Sequence, residues 1–335
     1  MSAVIMRRLL LELSMECESL ARSEAVAACH ALSDHVRVID SDPGVLVIDT
    51  AAEPERLAER LALCHYVGDW LGTCPPDEAE QAASDLEVEG PVRVRSTKVG
   101  VRPEGMELAS LTRKVGGILA RDRGVDLRHP RSDVRVVVSG RIHFARVISA
   151  VDRASFEKRK NRHLPFKYPA SLHPKYARAL VNLTRAPAGG KVLDPFCGTG
   201  AIVSEAAIVG LAAVGADFSE RMLAGAGRNI GHLGLEADLV KCDVGEISEK
   251  VGKVSGIATD PPYGRSTSTD GESISGLYSR AFKAFGEVLD RGSCVAVVLP
   301  EKEHLESASD FSLEESHSLW VHRSLTRHFC VLKRS

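Results

Sequence analysis

The 335-residue sequence predicts an α/β protein, a doubly wound sheet over residues 176–335 preceded by α+β structure. Three observations predict it. Gly190-Lys191-Val192-Leu193-Asp194-Pro195-Phe196-Cys197-Gly198-Thr199-Gly200 runs into a helix-forming Ala201–Val209, which is the strand, glycine turn and helix that open such a sheet. Successive strand-like runs then end in a carboxylate, at Asp194, Asp217, Asp243 and Asp260, so four strand ends deliver acids to one edge. Last, Asp260-Pro261-Pro262-Tyr263-Gly264 follows an apolar run ending at Ile257-Ala258, where a strand opens into a loop.

In chain order, Arg8–Leu13 is apolar, Ser19–Leu32 is Ala-rich and helical, Val36–Ile39 and Val45–Ile48 read as strands about the Asp42-Pro43-Gly44 turn, and Pro54–Leu63 is helical. That order is ferredoxin-like and sets a first module at residues 1–75. Pro75-Pro76-Asp77-Glu78-Ala79-Glu80 reads as an acidic connector or short helix opening a second module at 76–152. Within it Val92–Lys98 alternates apolar and basic residues, which puts Arg93, Arg95 and Thr97 on one strand face and the valines on the other. Met106–Leu119 is a helix candidate, and Val134–Val138 pairs with Ile142–Ile148 through Ser139-Gly140-Arg141. Residues 153–175 read as a basic linker stiffened by Pro165, Pro169 and Pro174. It carries Lys158, Arg159, Lys160, Arg162 and Lys167 among Phe166 and Tyr168, a mixture suited to a sugar-phosphate backbone. A Tyr176–Leu183 helix opens the last domain, 176–335.

Charge is unevenly distributed. Residues 1–90 hold 6 basic and 18 acidic side chains, net −12; residues 91–185 hold 22 and 7, net +15; residues 186–335 hold 15 and 20, net −5. A basic middle between acidic ends predicts a phosphate-facing surface. The competing reading is a solvated face neutralised by the acidic N-terminal segment. The eight cysteines (17, 29, 64, 74, 197, 242, 294 and 330) stand singly, with no CxxC pair and no His at ligand spacing, so reduced cysteines and no metal site are expected. No run reaches membrane-span length, and Glu12, Glu16 and Glu18 stand where a signal peptide would be apolar, which predicts a cytoplasmic protein.

The strand ends carry the chemistry. Gly198 and Gly200 let backbone approach a ligand closely, and Asp194 can accept from an ammonium group. Without a third glycine at dinucleotide spacing, or a following Gly-Lys-Ser/Thr, nicotinamide, flavin and phosphate-loop uses are disfavoured. Asp217 sits where a ribose diol is bound, with Phe218 beside it to lie on an adenine, and Asp243 can accept from an exocyclic adenine amine. At the fourth end Asp260 can accept one N–H of a flat amine and the Pro261 carbonyl a second. Pro261 and Pro262 supply no N–H of their own, and Tyr263 can lie against a heterocycle.

Together these residues resemble a Rossmann-like S-adenosylmethionine methyltransferase of the amino-methylating class. Asp194 through Gly200 resembles its first motif, Asp217 and Asp243 its ribose and adenine acids, and Asp260-Pro261-Pro262-Tyr263 its catalytic motif. Val295–Leu299, Ser316–Val321 and Thr326–Leu332 are similar to its closing strands, the last antiparallel, which implies a seven-stranded mixed sheet. Phe166-Lys167 with Ser171 through Leu183, and Gly264-Arg265-Ser266 after the catalytic motif, resemble the THUMP-containing tRNA guanine-N2 methyltransferases, of the archaeal type acting on guanosine 10. The resemblance implies S-adenosylmethionine as cofactor, held by Ser171, Asp194, Pro195, Phe196, Gly198, Gly200, Asp217, Phe218, Asp243 and Val244. It implies tRNA as partner, gripped at its acceptor end by the ferredoxin-like module and the THUMP domain, with Arg93, Arg95, Lys98, Lys158, Arg159, Lys160, Lys167 and Arg265 in contact. It further implies catalysis by Asp260, Pro261, Pro262 and Tyr263, giving N2-methyl and N2,N2-dimethylguanosine, in a monomer. Guanosine 6 of tRNA, an amine of DNA adenine or cytosine, and a non-catalytic tRNA-binding role are the alternatives.

Overall fold

Two seven-stranded sheets organise the described residues, which in this computed structural model are 5–100, 103–169, 171–263, 273–323 and 325–335. Each sheet belongs to one compact unit: Met1–Glu59 with Leu63–Val151, and Arg60–Ala62 with Asp152–Ser335.

In the first unit the strands are β1 (Arg7–Leu13), β2 (Val36–Asp42), β3 (Val45–Thr50), β4 (Cys64–Cys74), β5 (Val92–Lys98), β6 (Ser132–Ser139) and β7 (Arg141–Ala150). They lie in the order β2-β3-β1-β4-β7-β6-β5. All neighbours are antiparallel except β5 and β6. The helix Glu18–Leu32 buries Ala21, Ala25 and Ala28, small residues that allow close packing. The helix Leu108–Ala120 buries Leu111, Val115 and Leu119 at helical spacing against Val134, Val136 and Phe144.

The sequence reading has no counterpart to β4. Its two glycines and its aspartate blur the alternation, and two bulges, at Val67/Gly68 and Trp70/Gly72, break the period of two where it pairs with β7. Gly68 is needed there because a Cβ would stand 2.5 Å from the Arg146 carbonyl oxygen. The sheet also curls. In the flat, four strand spacings separate β1 from β5, about 19 Å at ~4.8 Å each, yet Thr97 Oγ1 donates to Glu12 Oε2 at 3.1 Å. The face expected to be open and basic is therefore the inside of the curl. There Arg93 and Arg95 share Asp133 at 2.8 and 2.5 Å, and Arg135 lies over the Tyr66 ring at 5.4 Å.

The second unit contains β8 (Lys191–Asp194), β9 (Ala212–Asp217), β10 (Asp238–Lys241), β11 (Val254–Thr259), β12 (Leu289–Leu299), β13 (Phe311–His322) and β14 (Leu325–Arg334). The order β10-β9-β8-β11-β12-β14-β13 gives five parallel strands, with β14 antiparallel to both neighbours. This is the expected seven-stranded mixed sheet. Strand order reverses between β8 and β11, and at such a switch point the carboxyl ends of the strands open a crevice. The helix Ile274–Val288, capped by Ser273, turns Leu277, Tyr278, Ala281, Phe282 and Phe285 into the core below that crevice. Each buried aromatic there contributes about 1.5–3 kcal/mol.

The basic linker is docked, not free. Residues Arg153–Lys158 form a helix capped by Asp152, and Phe166 is buried against Gly225, where a Cβ would stand 2.1 Å from its ring. Asn229 fixes the segment, its amide oxygen accepting from Phe166 N at 2.9 Å while its Nδ2 donates to the Phe166 and Thr199 carbonyls. Two expectations of RNA contact are corrected here. Phe166 is a core residue, and Arg159, 14% exposed, is committed to the buried Glu205 at 2.8 Å, which also holds Arg178 at 2.7 Å. A buried carboxylate needs that charge, so Arg159 is a structural cation.

Candidate active site

Asp194 ends β8 and Asp260 follows β11, and the rung Leu193–Ile257 places the two strand ends side by side. Asp194 is 3% exposed. Its Oδ1 accepts from the Thr259 hydroxyl at 2.7 Å and from Phe196 N at 3.2 Å, and among the described residues Oδ2 keeps no such bond. Burial, reinforced by the charges of Asp260 and Asp217, pushes this carboxyl up to about 7. Asp217, at the end of β9, accepts from Gly198 N at 3.0 Å and Ser219 N at 2.8 Å. Burial nonetheless raises it above the ordinary carboxylate range. Phe218 beside it is half exposed. Gly198 and Gly200 both adopt positive φ, and a Cβ on Gly198 would meet only the Phe196 carbonyl, at 3.9 Å. The Ser171 hydroxyl meets that of Thr199 at 2.9 Å, which ties the end of the linker to the glycine turn.

Three predicted pocket residues are placed differently from the rest. Asp243 caps the short turn Val244–Glu246 and faces the guanidinium of Arg280, which holds its carboxyl below the usual range. The Val244 side chain packs in the core, and Pro195 is buried. Cys197 and Cys242 are buried near this edge, and burial raises both thiols, Cys242 to about 11, so neither is a reactive thiolate.

The Asp260 loop carries the most strongly arranged contacts. Asp260 is half-buried, and burial raises its pKa while Arg327 and the Tyr263 hydroxyl oppose the rise. Tyr263 Oη donates to Asp260 Oδ1 at 2.5 Å, so the chain's own hydroxyl fills an acceptor expected for a ligand amine. Tyr278 Oη donates to the Pro262 carbonyl at 3.0 Å and pins the loop, whereas no donor among the described residues reaches the Pro261 carbonyl. Gly264, Arg265 and Ser266 lie outside the described residues.

Residues 159–328 match a family model described as RMKL-like, methyltransferase domain. The chain belongs to this family. Its relatives include a tRNA (guanine(10)-N2)-dimethyltransferase of Methanothermobacter thermautotrophicus, 34% identical, the match covering 96% of this chain and 98% of that one. Another of that name, from Pyrococcus abyssi, is 32% identical over 86% of this chain and 89% of its own. A tRNA (guanine(6)-N2)-methyltransferase of Thermus thermophilus is 36% identical but covers only 37% of this chain and 35% of itself. Among solved structures, TrmN from Thermus thermophilus shares the fold, with a TM-score of 0.55 at 24% identity, covering 98% of this chain and all of that one. SMU.472, crystallised with SAH, has a TM-score of 0.53 at 14% identity, covering 98% of each chain.

S-adenosylmethionine is the cofactor of this methyltransferase family, and the residues fit it. A buried carboxylate with no cation beside it among the described residues suits the donor's ammonium group, and the space over Gly198 admits a ligand against the backbone. Three residues beside these groups were not among the expected ones. Thr259 had a legible signal, a hydroxyl at the buried end of a strand just before Asp260. Tyr278 and Arg327 had none, because they reach the loop from elements that follow it in the chain.

Proposed function

We propose that this protein transfers methyl groups from S-adenosylmethionine to the exocyclic N2 amine of guanosine 10 in tRNA, giving N2-methyl and N2,N2-dimethylguanosine. The observation that carries the reading is Asp260, a half-buried carboxylate with a raised pKa at a strand end beside Asp194, on a loop whose Pro261 carbonyl is open. The bound cofactor supplies an electrophilic methyl on a sulfonium. The guanine amine is a poor nucleophile because its lone pair is delocalised into the ring. Asp260 and the Pro261 carbonyl accept its two N–H groups, draw the nitrogen toward tetrahedral geometry and aim its lone pair. As the nitrogen turns cationic, the Asp260 carboxylate stabilises the charge and takes the proton, a role suited to its raised pKa. Tyr263 must release Asp260 Oδ1 for the amine to arrive, which frees its ring to stack on the base.

Position 10 is favoured over position 6 by coverage, since the guanosine 10 relatives match along 96% and 86% of the chain and the guanosine 6 relative along 37%. On the same resemblance, residues 1–75 are a ferredoxin-like module, 76–152 a THUMP domain, 153–175 a linker and 176–335 the methyltransferase domain, working on tRNA in the cytoplasm. Incubation with labelled S-adenosylmethionine and unmodified tRNA transcripts, followed by nucleoside analysis and mapping, tests the whole reading. N2-methylated guanosine at position 10 is expected; label confined to DNA, or to another tRNA position, overturns the substrate.

The cations available to RNA are those without an internal partner. Lys98, Lys158 and Lys167 are exposed and unpaired among the described residues, whereas Arg93 and Arg95 are held by Asp133 and Lys160 by Glu157. Replacing those three lysines by Ala is expected to weaken tRNA binding roughly ten-fold or more at low salt. The slope of log Kobs against log salt should fall by about 2–3. Arg159→Ala should instead lower the Tm and leave that slope unchanged. Filter binding across a salt series checks both, and an unaltered slope in the lysine variant removes these residues from the interface.

A further inference from the structure

Arg327 lies in β14, paired with Leu319 of β13 and one residue past the last rung with β12. The rungs run Thr259–Val297–Cys330 and then Leu299–His328, so one further step brings Arg327 level with the loop that follows β11. Its charge favours the anions of both Asp260 and Tyr263 and so lies close to them. Its Nε is buried and finds no hydrogen-bond partner among the described residues. A buried N–H without an acceptor is destabilising, and its persistence beside a reaction centre points to an acceptor that arrives with the substrate.

We propose that Arg327 reads the O6 edge of the guanine whose N2 amine meets Asp260, with N7 in reach of the same fork, and so restricts the site to guanine among purines bearing a 2-amine. The inference rests on the reading of the site as a guanine-N2 methyltransferase and deepens it. The Tyr263 hydroxyl shows the pattern. It donates to Asp260 and lies near the Arg327 charge, and a guanine edge presents a matching pair, an N–H donor at position 2 and an oxygen acceptor at position 6. Guanine O6 and N7 also match the spacing of an arginine fork, the commonest specific contact to that base.

The test uses full-length tRNA assembled by ligation with either guanosine or 2-aminopurine riboside at the methylated position; the analogue keeps the 2-amine and lacks O6. Wild-type protein should favour guanosine in kcat/KM on the order of 100-fold. In Arg327→Met the preference should collapse to within a few-fold, because guanosine turnover falls and 2-aminopurine turnover does not. Arg327→Lys keeps the charge and loses the fork, so an intermediate preference is expected. A merely structural residue would slow both substrates alike. A preference unchanged in both variants, with wild-type protein active on guanosine, overturns the assignment of Arg327 alone. Absence of transfer to guanosine by wild-type protein overturns the underlying reading and this one with it. Should neither variant fold, the wild-type preference decides: on the order of 100-fold supports the O6 contact, and below about ten-fold sinks it.

Discussion

Asp260→Ala is expected to lower the single-turnover rate of methyl transfer by at least about 10³-fold while tRNA affinity stays within roughly three-fold. Loss of one preorganised charge-stabilising group costs on the order of 10²–10³ in rate, and loss of a general base on the order of 10²–10⁴. Both roles fall on this one carboxylate. Binding is spared because phosphate contacts, not the base pocket, supply most of the affinity for tRNA. In wild-type protein the rate should climb with pH as Asp260 ionises, with a midpoint above the ordinary carboxylate value of 3.8, since burial raises it; Asp260→Asn should show no such limb. Rapid-quench transfer assays beside filter binding check both, and a parallel loss of tRNA binding would make Asp260 part of the scaffold.

Asp194→Asn should separate stability from function. The amide oxygen can still accept from Thr259 and Phe196, which both bond Oδ1, but the negative charge offered to the cofactor's ammonium is gone. Cofactor affinity is expected to fall roughly 10–100-fold, the worth of one charge-assisted hydrogen bond. The ligand-free protein should gain. Burial raises Asp194 to about 7 from 3.8, so between those values the folded state keeps a proton that the unfolded chain has released. The stability associated with that proton is complete below about pH 4 and is lost as pH rises to about 7. The variant escapes this loss. Its Tm should match wild type at pH 4 and exceed it by several degrees at pH 8, read by calorimetric melts alongside cofactor titration. Equal Tm differences at the two pH values would mean that Asp194 is not buried as an uncompensated acid.

Residues close in the chain were legible. Asp260, Pro261, Pro262 and Tyr263 are adjacent, and the acids at Asp194, Asp217 and Asp243 are marked by the strands that they end, so their common edge followed from the parallel order alone. Partners that the fold brings from afar were not. Arg159 looked like an RNA contact because its true partner, Glu205, stands 46 residues on. Arg327 reaches the loop only through antiparallel pairing of β14 with β12, a register that local periodicity does not encode. Strand β4 was hidden by its own bulges.

Strand β4 also governs what can be removed from the first unit. It hydrogen-bonds to β1 on one side and β7 on the other, so it belongs equally to the halves that meet at Cys74. A chain ending there would display a bare eleven-residue edge, a ready template for pairing with other chains. During synthesis that edge stays open until β7 emerges, some seventy residues later, and the curl joining Thr97 to Glu12 closes no earlier. The nascent first unit is therefore most prone to aggregate across that interval, and its halves are poor candidates for separate expression or domain transplantation.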